Sequence, residues 1–372
     1  MGTDISRFAT PSGFGRHRWT LAAYSAMVRK RLGHQPGLEL KSLAEKSWDI
    51  APGGSAVSPA AIFLPGQMER VTGWQEKEFF PYVHPGPTMG GGLSVTHGPT
   101  RGYLLKDVWL IDGALYKGKA SQWLSLRQAT IPSLRVEHEI ERAAIYCTHN
   151  GNSWFGTWMM EDCPTYALAS NEGVPVTIAP SARYPLFTQA PAYEAWLGMQ
   201  PLRLRTALFR ELVLFDDMSN NDSRFQRFRD MGNKLLAHVS HAPHPGVFIL
   251  RGSDGERRML RNELELAEHL RKSRGFRVIN PLRMQVPEIV EACAGARVVM
   301  GVEGSQLVHG VNVLQPGGTV FALQPPNRFV SYYKFLTDRD GQHFAFVVGQ
   351  PDGEGFSISL DEVERTLDLL PA

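Results

Sequence analysis

Two short apolar runs, at residues 297–301 and 319–323, constrain the fold more than any other part of the sequence. Each run is bounded by glycine or proline, which is typical of a strand buried in a parallel sheet. A segment rich in glycine begins at Gly301 and leads to Ser305, which is a good N-cap for a helix over residues 306–314. The pattern therefore predicts a strand, a short helix and a second, parallel strand.

A strand–turn–helix unit of this kind can bind a phosphate group. Main-chain amides and a helix N-terminus then lie at the carboxyl edge of the sheet, where such ligands bind. Gly301, Gly304, Ser305 and Gln306 are the candidate residues of the turn. His309 lies one turn after Ser305 on the same helix face, so it can reach the same pocket. An ordinary strand–helix–strand turn without a ligand is the alternative interpretation.

The C-terminal half alternates between strands and helices. Strands are predicted at residues 246–250 and 276–279, before the run at 297–301, and helices at residues 263–273 and 286–293. Later segments add a strand at residues 344–348 and a closing helix at residues 360–370. This alternation predicts an α/β domain with a parallel, doubly wound sheet.

Arginines follow the first strand of that domain. Arg251 comes directly after the strand, and Arg257 and Arg258 precede Asn262, which can cap the next helix. The loops at the carboxyl ends of parallel strands meet at one edge, and a guanidinium fork suits a diphosphate. Glu303 cannot favour a phosphate directly, but it can hold a sugar hydroxyl or orient Arg251. A surface arginine in a turn is the alternative for Arg251.

The N-terminal half is rich in short strands and turns. Residues 102–111 predict a strand that turns back at Asp112 and Gly113. A strand over residues 174–179 is expected at an edge of its sheet, because Pro175 cannot donate a main-chain hydrogen bond. These features predict a β-rich N-terminal extension to a first α/β domain.

A candidate general base lies in a helix predicted over residues 153–164 and limited by Pro164. Helical spacing places Trp154, Trp158 and Glu161 on one face. Burial among aromatic rings raises the proton affinity of a carboxylate, which suits a general base. A core helix with a solvent-facing Glu161 is the alternative, and spacing alone favours it.

Composition excludes several classes of protein. The chain has 372 residues, enough for two domains, and its net charge of +2 gives no sign of a nucleic-acid binder. Its three cysteines are scattered, which fits a reducing compartment. No apolar run is long enough to span a bilayer and no signal pattern begins the chain, so a cytoplasmic location is expected. Basic residues flank residues 19–28, where a helix packed on its own domain is favoured over one resting on an anionic membrane.

The absence of common motifs narrows the function. No triphosphate-binding P-loop, dinucleotide fingerprint or nucleophile elbow is present. A catalytic metal is disfavoured because Asp216 and Asp217 form no Asp-X-Asp motif, and a hydrolase using Ser305 and His309 lacks an orienting acid. What remains is a transferase that holds a nucleoside-diphosphate donor between two domains. The predicted boundaries are an acceptor-side domain at 1–215, a nucleotide-sugar domain at 216–350 and a C-terminal helix at 351–372.

Residues 143–370 resemble glycosyltransferase family 61, particularly its bacterial members of capsular or surface polysaccharide synthesis. Three blocks carry the resemblance, and the second and third together are the more specific. The matching residues are Phe155, Trp158, Glu161 and Pro164 in the first block, Phe248 to Arg251, Arg257, Arg258, Asn262 and Glu263 in the second, and Gly301, Gly304, Leu307, Pro316 and Gly317 in the third.

The resemblance implies a GT-B architecture, in which two Rossmann-like domains face a cleft, and transfer with inversion and without an essential metal or other cofactor. It implies a nucleoside-diphosphate sugar, with a UDP-sugar favoured, as donor and a glycan or lipid-linked acceptor for a hexosyl or pentosyl group. Glu161 would be the base, with Glu303 as the rival. Arg251, one of Arg257 and Arg258, and the helix amides would stabilise the leaving diphosphate.

Three residues depart from the family pattern. Trp154 stands where the first block usually opens with asparagine, Thr157 stands in place of a histidine, and Glu303 replaces a histidine in many third blocks. The change at Thr157 leaves open a second hypothesis, a catalytically inactive relative that binds a sugar nucleotide or glycan.

Overall fold

The chain forms two compact units. A computed structural model of the chain describes residues 18–32, 38–74, 87–126, 128–182, 184–252, 258–339 and 341–371. Unit 1 comprises Met1–Pro52 and Pro99–Met218, and unit 2 comprises Gly53–Gly98 and Ser219–Ala372. The sequence-based boundaries instead placed residues 53–98 in the first domain and separated residues 351–372 from the second.

Residues 53–98 group with unit 2 because part of this segment adds to the sheet of that unit. The amide of Ile62 donates to the carbonyl oxygen of Phe344 over 2.8 Å. The ring of Phe63 stacks on that of Phe346, with centroids 4.7 Å apart. Main-chain pairing and ring stacking therefore tie a segment that is distant in sequence to the C-terminal sheet.

The secondary structure is given in chain order. The strands are β1 (Arg18–Trp19), β2 (Lys46–Ala51), β3 (Gly54–Val57), β4 (Ser94–His97), β5 (Thr100–Ile111), β6 (Ala114–Lys117), β7 (Ala120–Trp123), β8 (Arg135–Val136), β9 (His138–Ile145), β10 (Val174–Ile178), β11 (Leu202–Leu204), β12 (Thr206–Asp216), β13 (Val247–Ile249), β14 (Arg277–Ile279), β15 (Val298–Val302), β16 (Thr319–Gln324), β17 (His343–Val348), β18 (Gln350–Asp352) and β19 (Gly355–Ser357). The α-helices are α1 (Ala22–Arg31), α2 (Phe155–Thr157), α3 (Cys163–Glu172), α4 (Ala190–Leu197), α5 (Asp222–Leu236), α6 (Glu263–Ser273), α7 (Val286–Cys293), α8 (Val308–Val311), α9 (Tyr332–Thr337) and α10 (Leu360–Leu367). A π-helical segment, Trp158–Asp162, joins α2 to α3, and 3₁₀ turns occur at Leu40–Leu43, Met68–Arg70, Pro87–Gly90, Pro281–Arg283 and Ser305–Leu307.

The main sheet of unit 2 is parallel throughout. Its strand order is β14-β13-β15-β16-β17, and β15 and β16 are buried at every residue. Parallel strands covered on both faces need such continuous apolar runs, which is why the sequence identified them. Counted along the chain, the strands stand in the order 2-1-3-4-5. The order reverses between β13 and β15, and ligands of doubly wound sheets bind at the carboxyl ends of the strands at such a switch point.

The main sheet of unit 1 is mixed. Its order is β11-β10-β9-β12-β5-β6-β7, and β2 also pairs with β5. Strands β9 to β12 are parallel to their neighbours in this group, whereas β5 is antiparallel to β12. Counted along the chain, β9 to β12 stand in the order 3-2-1-4, which places a second switch point between β9 and β12. The predicted β hairpin is confirmed, because β5 turns back into β6 through Asp112 and Gly113, both with positive φ.

Two predictions that rested on proline were wrong. Strand β10 is internal and lies between β9 and β11. It tolerates Pro175 because β11 pairs with it only from Val176 onward, so one flank of Pro175 has no ladder to complete. The helix also continues through Pro164 to Glu172, with Pro164 in the first turn of α3. Main-chain hydrogen bonds change register at the π-helical segment, so a residue without an N–H group can be accommodated there.

The basic segment near the N-terminus packs on its own unit. Ala22, Ala23 and Ala26 of α1 contact the apolar cluster that contains Ile111 and Leu208. This is the arrangement that the sequence favoured. Within the part of the chain that the structure describes, no helix combines the length and the apolar composition needed to cross a membrane.

Candidate functional site

Arginine side chains converge at the β13/β15 switch point of unit 2. Arg251 lies two residues after β13, and Glu303 directly follows β15. Arg258 donates from Nη1 to the carboxylate of Glu303 and, over 3.0 Å, to its main-chain oxygen. Arg251 donates from Nη1 to Oε1 of Gln306 over 3.1 Å. The structure thus brings together four of the residues that the sequence assigned to the donor site.

The charges at this switch point favour an anionic ligand. Burial lowers the pKa of Arg251, and the neighbouring charge of Arg258 lowers it further, against a smaller opposing effect of Glu303. Two guanidinium groups therefore repel each other in a partly desolvated place, and the charges of Glu303 and Glu263 oppose this repulsion. A bound phosphate would relieve the repulsion and accept hydrogen bonds from both guanidinium groups.

The loop that carries Arg251 is fixed by a buried acid. The carboxylate of Glu263, the first residue of α6, accepts from the amide of Arg251 over 2.7 Å and from that of Gly252 over 3.0 Å. Burial raises the pKa of Glu263, and these two amides oppose the shift. Glu263 belongs to a block that resembles the family, but sequence reasoning assigned no role to it.

Gly304 is required by the position of Arg251. A Cβ atom at Gly304 would lie 2.0 Å from Nη1 of Arg251 and 2.7 Å from Oε1 of Gln306. The hydroxyl of Tyr333 in α9 donates to the carbonyl oxygen of Gly304 over 2.7 Å, and burial raises the pKa of this tyrosine well above its ordinary value. Sequence reasoning missed Tyr333, because it follows Gly304 by 29 residues and belongs to no local pattern.

The turn after Gly304 differs from its prediction. Gly304, not Ser305, is the N-cap, and Ser305 begins a 3₁₀ turn with no side-chain capping bond. The amide of Leu307 bonds to the carbonyl oxygen of Gly304, so the turn begins one residue earlier than expected. The predicted helix over residues 306–314 is reduced to this turn and to α8, which ends at Val311. Gly301 packs against the carbonyl oxygen of Ile249, 2.5 Å from where a Cβ atom would lie.

The other predicted donor residues have different surroundings. Both ends of the Asn262 side-chain amide bond to the main chain of Ile358, over 2.8 and 3.2 Å, which is a structural role. His309 is 2% exposed, and burial lowers its pKa to about 3, so its imidazole is neutral at ordinary pH. Arg257 lies outside the described residues.

The β9/β12 switch point of unit 1 is lined by acids. Glu161 lies in the π-helical segment and is 2% exposed, so the solvent-facing alternative is wrong. The hydroxyl of Thr165 lies 2.9 Å from the main-chain oxygen of Glu161 and 2.8 Å from Oδ2 of Asp217, which follows β12. The turn that carries Glu161 is thereby tied to the end of β12. Segments of π-helix are frequent at functional sites.

The neighbouring acids hold the scaffold. Asp162 accepts from the hydroxyl of Thr148 over 2.9 Å, and Asp217 accepts from the hydroxyl of Thr100 over 2.8 Å. Asp216 pairs with Lys41 and accepts from the hydroxyl of Tyr103. Among the residues that the structure describes, no group of three or more His, Cys, Asp or Glu side chains could hold a metal ion.

The departures from the family pattern occupy the start of the same helix. Thr157 is buried at the end of α2, directly before the π-helical segment. Trp154 precedes α2 and is partly exposed, while Trp158 is buried. His149 was also missed by sequence reasoning. It lies in the loop after β9, and its Nδ1 atom is shielded from solvent and has no hydrogen-bond partner among the described residues.

One stretch of the chain, which contains β10 to β15 and Glu161 but not β9, matches a protein family. Residues 155–321 match the model of the family Glycosyltransferase 61. This match, over less than half of the chain, supports membership of glycosyltransferase family 61 and thereby a glycosyltransferase activity with a sugar donor and a glycan acceptor. It includes Glu161, Arg251, Arg258 and Glu303. No curated protein matches the chain.

Proposed function

We propose that the chain is an inverting glycosyltransferase that moves a sugar from a nucleoside-diphosphate donor to a glycan acceptor. The observation that supports this most is the pair Arg251 and Arg258 at the β13/β15 switch point, inside the region that matches the family. A diphosphate is the sugar-nucleotide group that needs two guanidinium partners, and the switch point is where a doubly wound sheet binds nucleotides. Unit 2 is thus the donor unit.

Arg251 and Arg258 stabilise the leaving diphosphate in the proposed reaction. As the bond between C1 of the sugar and the phosphate oxygen breaks, the electron pair stays on that oxygen and adds negative charge. The guanidinium charges take the place of a metal ion, and a UDP-sugar is the proposed donor. Gly304 lets the main chain and Arg251 approach each other closely.

Glu161 is the proposed base. Its carboxylate takes the proton of an acceptor hydroxyl as the oxygen of that hydroxyl forms a bond to C1 from the side opposite the leaving group, which inverts the anomeric centre. Glu303 is the less suitable rival, because its carboxylate is engaged by Arg258 and would have to leave that partner. Unit 1 is thus the acceptor unit, and the two units work in the GT-B manner that the family resemblance implies.

The wider role follows from the same resemblance. We propose synthesis of a bacterial capsular or surface polysaccharide, in the cytoplasm, with the protein in peripheral contact with the inner membrane. Leu21, Val28 and Leu32 are exposed along α1, beside the basic residues Arg29, Lys30 and Arg31 at its end. Apolar side chains next to basic ones suit the surface of an anionic bilayer that carries a lipid-linked acceptor.

A nucleotide-release assay tests the proposal. The chain is incubated with a panel of UDP-, GDP- and CMP-sugars and with glycan acceptors, with and without EDTA, and the released nucleotide is measured. We expect release from one UDP-sugar, dependent on the acceptor and unchanged by EDTA. Stabilisation against heat by a nucleotide without any release would instead favour the inactive relative, for which the buried Thr157 is the structural argument.

A further inference from the structure

Unit 1 contains a cleft beside its switch point. The space inside it is about 40 Å³, so it is a shallow, partly open cleft and a ligand would lie across its mouth rather than inside it. We call it the aromatic pocket and define it by Trp158, Tyr184, Phe187, Glu194 and Arg203, which line it. Ala179 and Pro180, which follow β10, form part of its wall, so the pocket lies at the carboxyl edge of the parallel strands.

The rings of the pocket are held in place by one another. The centroids of Trp158 and Phe187 are 6.1 Å apart. Phe155 lies behind both, with its centroid 5.7 Å from that of Trp158 and 5.8 Å from that of Phe187. Aromatic side chains fixed in this way offer a rigid apolar surface at little cost in conformational entropy.

A charged pair supplies the polar side of the pocket. Nη2 of Arg203 donates to both carboxylate oxygens of Glu194, over 2.5 and 2.6 Å, and Glu194 is nearly buried. Nε and Nη1 of Arg203 form no hydrogen bond with the residues that the structure describes. The pair is neutral as a whole, yet it presents guanidinium donors beside carboxylate acceptors.

We propose that the aromatic pocket binds a sugar ring of the acceptor, an inference that rests on the proposed function. The apolar C–H face of a pyranose lies on an aromatic ring, and its neighbouring hydroxyls both donate and accept, as the pair Glu194–Arg203 requires. A phosphate is the wrong ligand, because Glu194 neutralises Arg203. Trp158 and Glu161 belong to the same π-helical segment, so the pocket and the proposed base share one rigid element.

Binding and kinetics of pocket variants test the inference. Methyl glucoside, methyl galactoside, methyl glucuronide and the corresponding disaccharides are titrated into the full chain, with UDP titrated in parallel, and tryptophan fluorescence is followed. We expect one saccharide to bind, Phe187→Ala to weaken it about tenfold, and UDP binding to stay unchanged. Arg203→Lys, which keeps a positive charge beside Glu194 but loses the fork, should weaken saccharide binding by a similar factor.

Trp48→Ala is the matched control. Trp48 is a half-buried aromatic residue of unit 1, in β2, on the far side of β12 and β5 from the pocket, so both ligands should bind as in the unchanged chain. Where turnover is measured, Phe187→Ala should raise KM for the acceptor about tenfold and leave KM for the donor unchanged.

The outcomes separate this inference from the proposed function. UDP binding with no saccharide binding, or saccharide binding that Phe187→Ala and Arg203→Lys leave intact, overturns the pocket alone. Saccharide binding that depends on Phe187, without any nucleotide binding or release, supports the pocket and overturns the transferase. A chain that binds neither ligand overturns both.

Discussion

The two units share a topological feature, a switch point in the main sheet, but the side chains near the two switch points carry opposite charges. Each main sheet contains a switch point between parallel strands, β9/β12 in unit 1 and β13/β15 in unit 2. At the first, Asp217 is tied through Thr165 to the turn that carries Glu161, and at the second lie the guanidinium groups of Arg251 and Arg258. Topology thus sets the place of a site, and the side chains at the strand ends set its chemistry.

The two switch points also differ in the partners of their charged side chains. In unit 1, Asp217 accepts hydrogen bonds from the hydroxyl groups of Thr100 and Thr165. In unit 2, Arg258 pairs with Glu303, and the charges of Glu303 and Glu263 both act on Arg251. A buried carboxylate suits removal of a proton, and guanidinium groups suit a phosphate leaving group. In the proposed function, the base therefore belongs to unit 1 and the leaving group is bound by unit 2.

The largest effect is expected for Glu161→Gln. The amide has nearly the shape of the carboxylate but cannot take a proton, so kcat should fall by about 10³-fold while the donor binds as before. Single-turnover transfer and nucleotide titration measure the two quantities. Glu172→Gln, at the far end of α3 in a surface pair with Arg142, is the matched control and should leave both unchanged. Unchanged turnover in Glu161→Gln would remove the base from unit 1.

A smaller effect is expected for Arg251→Lys. A lysine keeps the charge but loses the fork, so nucleoside-diphosphate binding should weaken by roughly 10- to 100-fold, the worth of one or two hydrogen bonds to a charged group. Calorimetric titration with UDP measures the change. Arg271→Lys on the exposed face of α6 is the control, because Arg271 contacts only the exposed Glu268 in the described structure. Equal affinity in both variants would mean that the diphosphate binds elsewhere.

Helices α6 and α7 of unit 2 were predictable because their signals are local. The apolar period and end signals gave residues 263–273 and 286–293, and α6 and α7 have those bounds. The local signals of Pro175 and Pro164 misled, because each proline lies where the tertiary structure needs no N–H donor. Prediction from neighbouring residues fails where the hydrogen-bonding surroundings of a residue are set by segments that are distant in sequence.

The candidate site was predictable only in its parts. Arg251, Arg258, Glu303 and Gln306 could be named from strand ends and family blocks, and the structure places them in contact as pairs. The support of the site could not be named. Tyr333 reaches Gly304 from a separate helix, and such a contact leaves no spacing to read in one sequence.

Gly304→Ala should have an intermediate effect on unit 2. The new methyl group would meet Nη1 of Arg251, the end of a flexible side chain, so the arginine must move, and the φ of 155° at Gly304 adds backbone strain for a residue with a Cβ atom. Nucleotide affinity should fall about tenfold, equivalent to about 1.4 kcal/mol, and Tm should fall by a few degrees because of the backbone strain. Gly54→Ala, at a glycine of the same unit with open space around it, is the control for both measurements. A large loss of Tm in Gly304→Ala would show that this turn supports the fold rather than the ligand.

Glu303→Gln is expected to have the smallest effect. Its result also distinguishes most clearly which of the two switch points holds the base. The amide can still accept a hydrogen bond from Arg258, but the negative charge next to the diphosphate is gone. Donor affinity should therefore rise by about threefold, and transfer should change by no more than about that factor, because an exchange of one charge near a ligand acts mainly on binding. Titration and steady-state kinetics on the same preparation measure both. If Glu303→Gln instead abolishes transfer while the donor still binds, the base lies in unit 2, and the carboxylate held by Arg258 would be the group that leaves its partner to accept the proton.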